Sequence, residues 1–219
     1  YFVVRIGNLA KEKFEINHDN FLDYPFSKLV KDKNDILLIK NSSFYIGTNT
    51  GLTEVAYLLN IPVLLTNMSL LFEGYPRKKE DRGIYKKIYF KDFQNQITLK
   101  EFINLPNKYH HSLVHNTNLI TDLKFEENSE EEIFQAVKEY ENLFRTDKLN
   151  EHSKIQDYYN NLLNIKLIEL YKYNLDLVNK NKIVKKKELD EPYKNLRYKI
   201  FLNGAISESY LLNCSENEK

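Results

Sequence analysis

The sequence predicts an α/β fold, a parallel sheet with helices on both faces, followed by a helical C-terminal extension. Two observations carry the prediction. The apolar runs Ser43–Gly47 and Ile61–Asn67 flank a stretch, Leu52–Leu59, whose Leu52, Val55, Ala56 and Leu59 share one helical face. A strand–helix–strand unit with strands this apolar implies a right-handed crossover between parallel strands in a sheet buried on both sides.

The elements follow in order. Tyr1–Ile6 is an apolar run closed by Gly7-Asn8 and reads as a buried strand and turn. Residues 9–20 are polar and loop-like. Phe21–Pro25 reads as an edge strand or a turn, because Pro25 has no N–H for a ladder. Asn34–Asn41 reads as a short helix with Asn34 as its N-cap. Asn60 ends the 52–59 helix, and Pro62 sits where a strand tolerates a missing donor. Residues 68–87, with Gly74, Pro76 and the charged run Arg77–Arg82, read as a loop, and Lys87–Lys91 as a short strand. Thr98 with Glu101, and Ser129 with Glu132, have capping-box spacing and open two helices. The second runs to about Phe144 with a stripe of Ile133, Phe134, Val137, Tyr140 and Phe144. A further helix spans about Lys154 to Tyr173. The expected division is 1–145 for the sheet domain and 146–219 for the helical extension.

Composition narrows the class. Among 219 residues, 32 Lys+Arg balance 31 Asp+Glu for a net charge of +1. A nucleic-acid binder driven by bulk charge would carry a pI above roughly 9, so no nucleic-acid partner is expected at a pI of 7.9. The apolar fraction of 42% suits a packed globular chain. No stretch approaches the roughly 18 apolar residues of a membrane span. A single cysteine, Cys214, excludes an internal disulfide. Asn and Lys are abundant, at 26 and 27 residues, so clusters of either are weak signals. The sole methionine is Met68, and the chain opens on Tyr1 within a strand-like run, so a piece of a longer protein is expected.

The strongest chemical signal is Thr48-Asn49-Thr50-Gly51, where a buried strand hands over to a helix. Backbone N–H groups and the positive end of the helix face an anion placed there. Gly51 permits close approach, Thr48 and Thr50 add hydroxyls, and ligands of open α/β sheets bind beyond the carboxyl ends of strands. An ordinary Thr-capped turn explains the same residues without a ligand. The loop is neither a Walker A motif nor the Gly-x-Gly-x-x-Gly dinucleotide fingerprint, which disfavours a dehydrogenase.

Asp35 through Leu52, continued by Asn60-Ile-Pro-Val-Leu-Leu-Thr-Asn67, resembles the C-terminal half of a bacterial family of putative glycosyltransferases associated with cell-surface carbohydrate synthesis. The family's Arg-x-Gly strand, Asp-Tyr segment and Gly-Thr-x-x-Gly-Leu loop find counterparts in Arg5-Ile6-Gly7, Asp23-Tyr24 and Gly47–Leu52. Ile97–Pro106 and Gly204–Leu211 also look like family segments, whereas residues 108–200 match loosely. The loop is similar to the Asp-Thr-Gly loop of heptosyltransferases of the GT-B fold, but Asn49 replaces the Asp and Glu54 the following His. The resemblance implies a Rossmann-like, donor-binding half of a GT-B enzyme, with an N-terminal acceptor domain outside this chain.

On that resemblance the donor site comprises Thr48, Asn49, Thr50, Gly51 and Leu52 on the diphosphate, joined by Arg5, a strand-end cation like that of fucosyltransferase-like enzymes. Glu54 is placed to bond a ribose or sugar hydroxyl, although an acidic residue there also suits the helix dipole. Asp23 and Tyr24 are expected to line the nucleobase pocket, Asn67 to reach sugar or phosphate, and Lys91 to add a cation; a core Tyr24 and a solvated Lys91 are the plainer alternatives. No catalytic residue is identified, and no metal or other cofactor is expected. His111 and His115 have i,i+4 spacing beside His110, but no further ligand accompanies them. The expected reaction is transfer of a sugar from a nucleotide-diphosphate sugar to a glycan or lipid-linked glycan acceptor. A GT-B epimerase and a non-catalytic nucleotide-sugar or carbohydrate-binding scaffold are the rivals. The expected location is the cytoplasm, at the inner face of the membrane if Lys185–Lys187 meet anionic lipid; a solvated charge run explains those lysines more simply.

Overall fold

The computed structural model describes residues 1–7, 10–31, 33–72, 74–91, 96–115, 122–180 and 203–216. They form two compact units, 1–45 with 50–63, and 46–49 with 64 onward.

In the first unit, β1 (Val3–Arg5) and β2 (Phe21–Asp23) pair in parallel, with Val3 opposite Phe21 and Arg5 opposite Asp23. The apolar opening run suggested burial, but Tyr1, Phe2 and Val3 are more than half exposed. Hydrophobicity marked a strand correctly and its environment wrongly. After β2, Pro25 turns the chain into a single 3-10 turn, Tyr24–Phe26. Tyr24 is buried, and its hydroxyl donates to the Lys31 carbonyl at 3.2 Å and accepts from the Lys31 N–H at 2.9 Å. Next come α1 (Asn34–Lys40) and α2 (Gly51–Leu58), which pack together around Ile39 and Ala56. Asn34 is not the cap of α1 but its first residue: its amide turns back to donate to the Leu29 carbonyl at 2.7 Å. Asn60 ends α2 as expected, at φ 59°. The Asn60 N–H reaches the Tyr57 carbonyl and the Ile61 N–H reaches that of Ala56, a Schellman closure.

In the second unit, a four-stranded sheet runs in the order β3 (Tyr45–Gly47), β4 (Val63–Met68), β5 (Arg82–Tyr85), β9 (Ala205–Ile206). The pairs β4–β5 and β5–β9 are parallel. Leu64, Leu65, Ile84, Tyr85, Ala205 and Ile206 are fully buried. β5 lies inside the stretch that the sequence presents as a loop. Its first residue, Arg82, is 1% exposed and reads as surface in any hydropathy pattern. It tolerates burial because four carbonyls receive its guanidinium: Nη1 donates to Lys79 and Asp81, Nη2 to Leu149 and Glu151, at 2.7–3.0 Å.

A small antiparallel sheet, order β7 (Gln96–Ile97), β6 (Lys87–Phe90), β8 (Leu123–Glu126), belongs to the same unit. Its helices are α3 (Leu99–Asn104), α4 (Asn107–His115), α5 (Glu130–Arg145), α6 (Lys154–Asn179) and α7 (Glu208–Glu216). Both capping boxes are present at the starts of α3 and α5. α5 buries Ala136 and Tyr140, while Phe134 of the expected stripe is 54% exposed. The expected all-helical extension is corrected at its end. Residues 205–206 return as a sheet strand, because the Gly204 N–H donates to Pro76, that of Ala205 to Asp81 and that of Ser207 to Gly83. The chain is thus mixed α/β with parallel pairing, and among the described residues no helix is long and apolar enough to cross a membrane.

Candidate functional site

The start of α2 retains the features that make a helix an anion receptor. Thr50, the N-cap, is extended at φ −137° and ψ 174° and pairs reciprocally with Thr53, whose Oγ1 accepts the Thr50 N–H at 3.4 Å. The cap is therefore neutral. Gly51 is the first helical residue and is exposed, and a Cβ built on it would meet no atom within 4 Å. Its φ is not positive, so neither backbone conformation nor packing demands glycine. Leu52 is half-buried, and Glu54 stands in the first turn, where its charge favours the helix dipole.

Other helix starts in the molecule already carry a carboxylate. Glu101 Oε2 accepts the Thr98 N–H at α3, and Glu132 Oε2 accepts the Ser129 N–H at α5, both at 2.7 Å. At α7 the ligand comes from another helix: Glu139 of α5 accepts the N–H groups of Glu208 at 2.8 Å and Ser209 at 2.7 Å, and the Ser207 hydroxyl. Nothing in the sequence pairs Glu139 with Ser207, 68 positions away.

Arg5 and Asp23, both expected on the donor, are brought to each other. Arg5 Nε lies 2.7 Å from Asp23 Oδ1, and Nη2 donates to the Glu12 carbonyl at 2.7 Å. The Phe14 ring lies under the guanidinium at 3.9 Å, and the Phe14 N–H donates to Asp23 Oδ2 at 2.8 Å. The pair holds the 12–14 segment against the β1–β2 ladder, with Asp23 5% and Arg5 19% exposed at the side chain. Tyr24 serves the core, the plainer of its two sequence readings.

In the second unit, Thr48 and Asn49 are exposed beyond β3. The Asn49 amide lies over Gly74, whose φ is 75° and whose Cβ position would fall 2.6 Å from Asn49 Cγ. Asn67 adopts φ 57° and clasps Asn128: each backbone N–H donates to the other's side-chain oxygen, at 2.7 and 2.6 Å. Asn128 Nδ2 continues to the Tyr85 carbonyl at 2.7 Å. The Asn67 oxygen expected on sugar or phosphate is thus engaged in joining β4 to the start of α5. Lys91 is exposed at the end of β6 in the antiparallel sheet, and its N–H donates to the Asp122 carbonyl.

His110 and His111 face different neighbours. His111 Nδ1 meets Asn174 Oδ1 at 2.9 Å, whereas His110 is buried against Phe102; the side chain at 115 lies outside the described residues. Among the described residues no cluster of three or more His, Cys, Asp or Glu is placed to hold a metal. Residues 185–187 also lie outside them. No family model, curated protein or solved structure matches the chain.

Proposed function

We propose that this chain binds the nucleotide-diphosphate sugar donor of a GT-B-type glycosyltransferase through a Rossmann-like unit, with the diphosphate at the start of α2. The observation that supports the reading most is Gly51: a first helical residue that the fold does not require to be glycine, beside a neutral hydroxyl cap. The N–H groups of Gly51 and Leu52 open the helix, so an anion there gains hydrogen bonds and the favourable end of the dipole. Thr50 adds a hydroxyl, Leu52 an apolar wall, and Glu54 an acceptor for a sugar or ribose hydroxyl. In the transfer, the same donors stabilise charge developing on the departing diphosphate, an electrostatic role fulfilled by backbone groups. The acceptor in this reading is a surface glycan or its lipid-linked form. Arg5 is assigned to its pair with Asp23 and leaves the donor site.

The test is calorimetric titration of uridine, guanosine and cytidine diphosphates into the wild-type chain and Gly51→Val. The reading expects one diphosphate to bind, its nucleoside alone to bind at least about tenfold more weakly, and Gly51→Val to lose about tenfold or more. Equal binding by both proteins removes the site. The neutralised Arg5 favours one second reading, a scaffold that binds a nucleotide sugar without turning it over. Donor hydrolysis or transfer by the protein would exclude that reading.

A further inference from the structure

The corner Leu105-Pro106 joins α3 to α4, and His110 on the second turn of α4 folds back onto α3. Its ring meets that of Phe102 edge-on, with centroids 5.3 Å apart. The residue is 3% exposed, and neither ring nitrogen makes a well-formed hydrogen bond; the backbone of Ile103 and Phe102 acts on the ring and favours its charged form, but less than burial and Lys166 oppose it. From α6, buried Lys166 approaches the same place and donates to the Leu105 carbonyl at 2.6 Å. The carboxylate facing this seam is Glu169 of α6, 3.5 Å from Lys166 Nζ and itself 54% exposed. On α4, Lys108 is exposed, its ammonium 5.3 Å from the Tyr109 ring, and His111 points to Asn174 and Tyr173 of α6. On α3, Lys100 and Glu101 are exposed.

A proton on His110 therefore creates a second buried cation beside the Lys166 ammonium. Among the described residues the carboxylate at this seam, Glu169, is already paired with Lys166, and the His110 ring is buried. Burying an unpaired charge is costly, and the nine-residue α4, packed on α6, is the element that can move to return the ring to water. We infer that His110 is an acid-operated latch, whose protonation releases α4 from α3 and α6 while the parallel sheet stays folded. Burial and the Lys166 charge push its pKa down to about 4, so the latch is closed at neutral pH and opens on acidification.

Amide hydrogen exchange, corrected for the intrinsic pH dependence of the chemistry, reads the opening directly in the wild-type chain and in His110→Leu. Between pH 6.5 and 5 the latch predicts about tenfold loss of protection in α4, which at each pH exchanges more readily than α5. His110→Leu is expected to show no such loss. In the wild-type protein, the His110 ring resonance is expected to titrate well below 6, a measurement that needs no variant. Equal protection of α4 and α5 at every pH, an α4 response surviving in His110→Leu, or a ring titrating near 6.5 overturns the latch.

Discussion

Arg82 shows how a single residue is retained where its type is disfavoured. Its guanidinium binds four carbonyls from two segments, so Arg82→Met leaves those carbonyls short of partners in a closed core. The expected cost is about 3 kcal/mol, read as a lower urea midpoint. Arg5→Ala strands the Asp23 carboxylate and is expected to cost about 2 kcal/mol by the same measurement. His110 sets the acid limb of stability. Its folded pKa of about 4 lies below the ordinary 6.5, so the unfolded chain takes up the proton first. The neutral form's contribution is complete above about pH 6.5 and fades as pH falls toward 4. Unfolding free energies are expected to drop by about 2 kcal/mol from pH 7 to pH 5, a drop that His110→Leu abolishes. Little of this was legible in the sequence. Arg5 carried a donor-site expectation as a strand-end cation and Asp23 through the Asp-Tyr segment of the family resemblance; their partnership depends on the register of the parallel β1–β2 pair.

At the scale of elements, legibility followed the locality of the signal. The boxes at Thr98–Glu101 and Ser129–Glu132, the Asn60 stop and the separate elements β3, α2 and β4 depend on near neighbours in the chain, and all are present. β5 and β9 are long-range elements. The first hides a cation, and the second is two residues long, specified by a glycine rather than by apolar pattern. A Cβ on Gly204 would fall 2.8 Å from the carbonyl oxygens of both Pro76 and Lys78 and would clash with the Pro76 ring. Gly204→Ala is therefore expected to destabilise by about 2 kcal/mol and to raise exchange in α7 before α5, as hydrogen exchange checks. Gly51→Ala, in open space, is expected to leave stability unchanged or raise it slightly.

At the scale of the molecule, the α/β class was legible, while its organisation was not. The sequence divided the chain near residue 145, but 205–216 close the sheet of the second unit through β5, Glu139 and Gln156, whose amide donates to the Ile206 carbonyl at 2.8 Å. A chain ending at Lys180 loses β9 and α7 and exposes the edge of β5. The full chain is expected to unfold in a single cooperative thermal transition by circular dichroism, and the shortened chain to lose that cooperativity. The donor-binding role rests on a much smaller feature, one exposed glycine at a helix start. The most direct measurement is titration of nucleoside diphosphates into the wild-type chain and Gly51→Val, with circular dichroism confirming that both are folded. The account predicts diphosphate binding by the wild type and at least about tenfold weaker binding by the variant. The same affinity in both, or no binding of any diphosphate by the wild type, would contradict it.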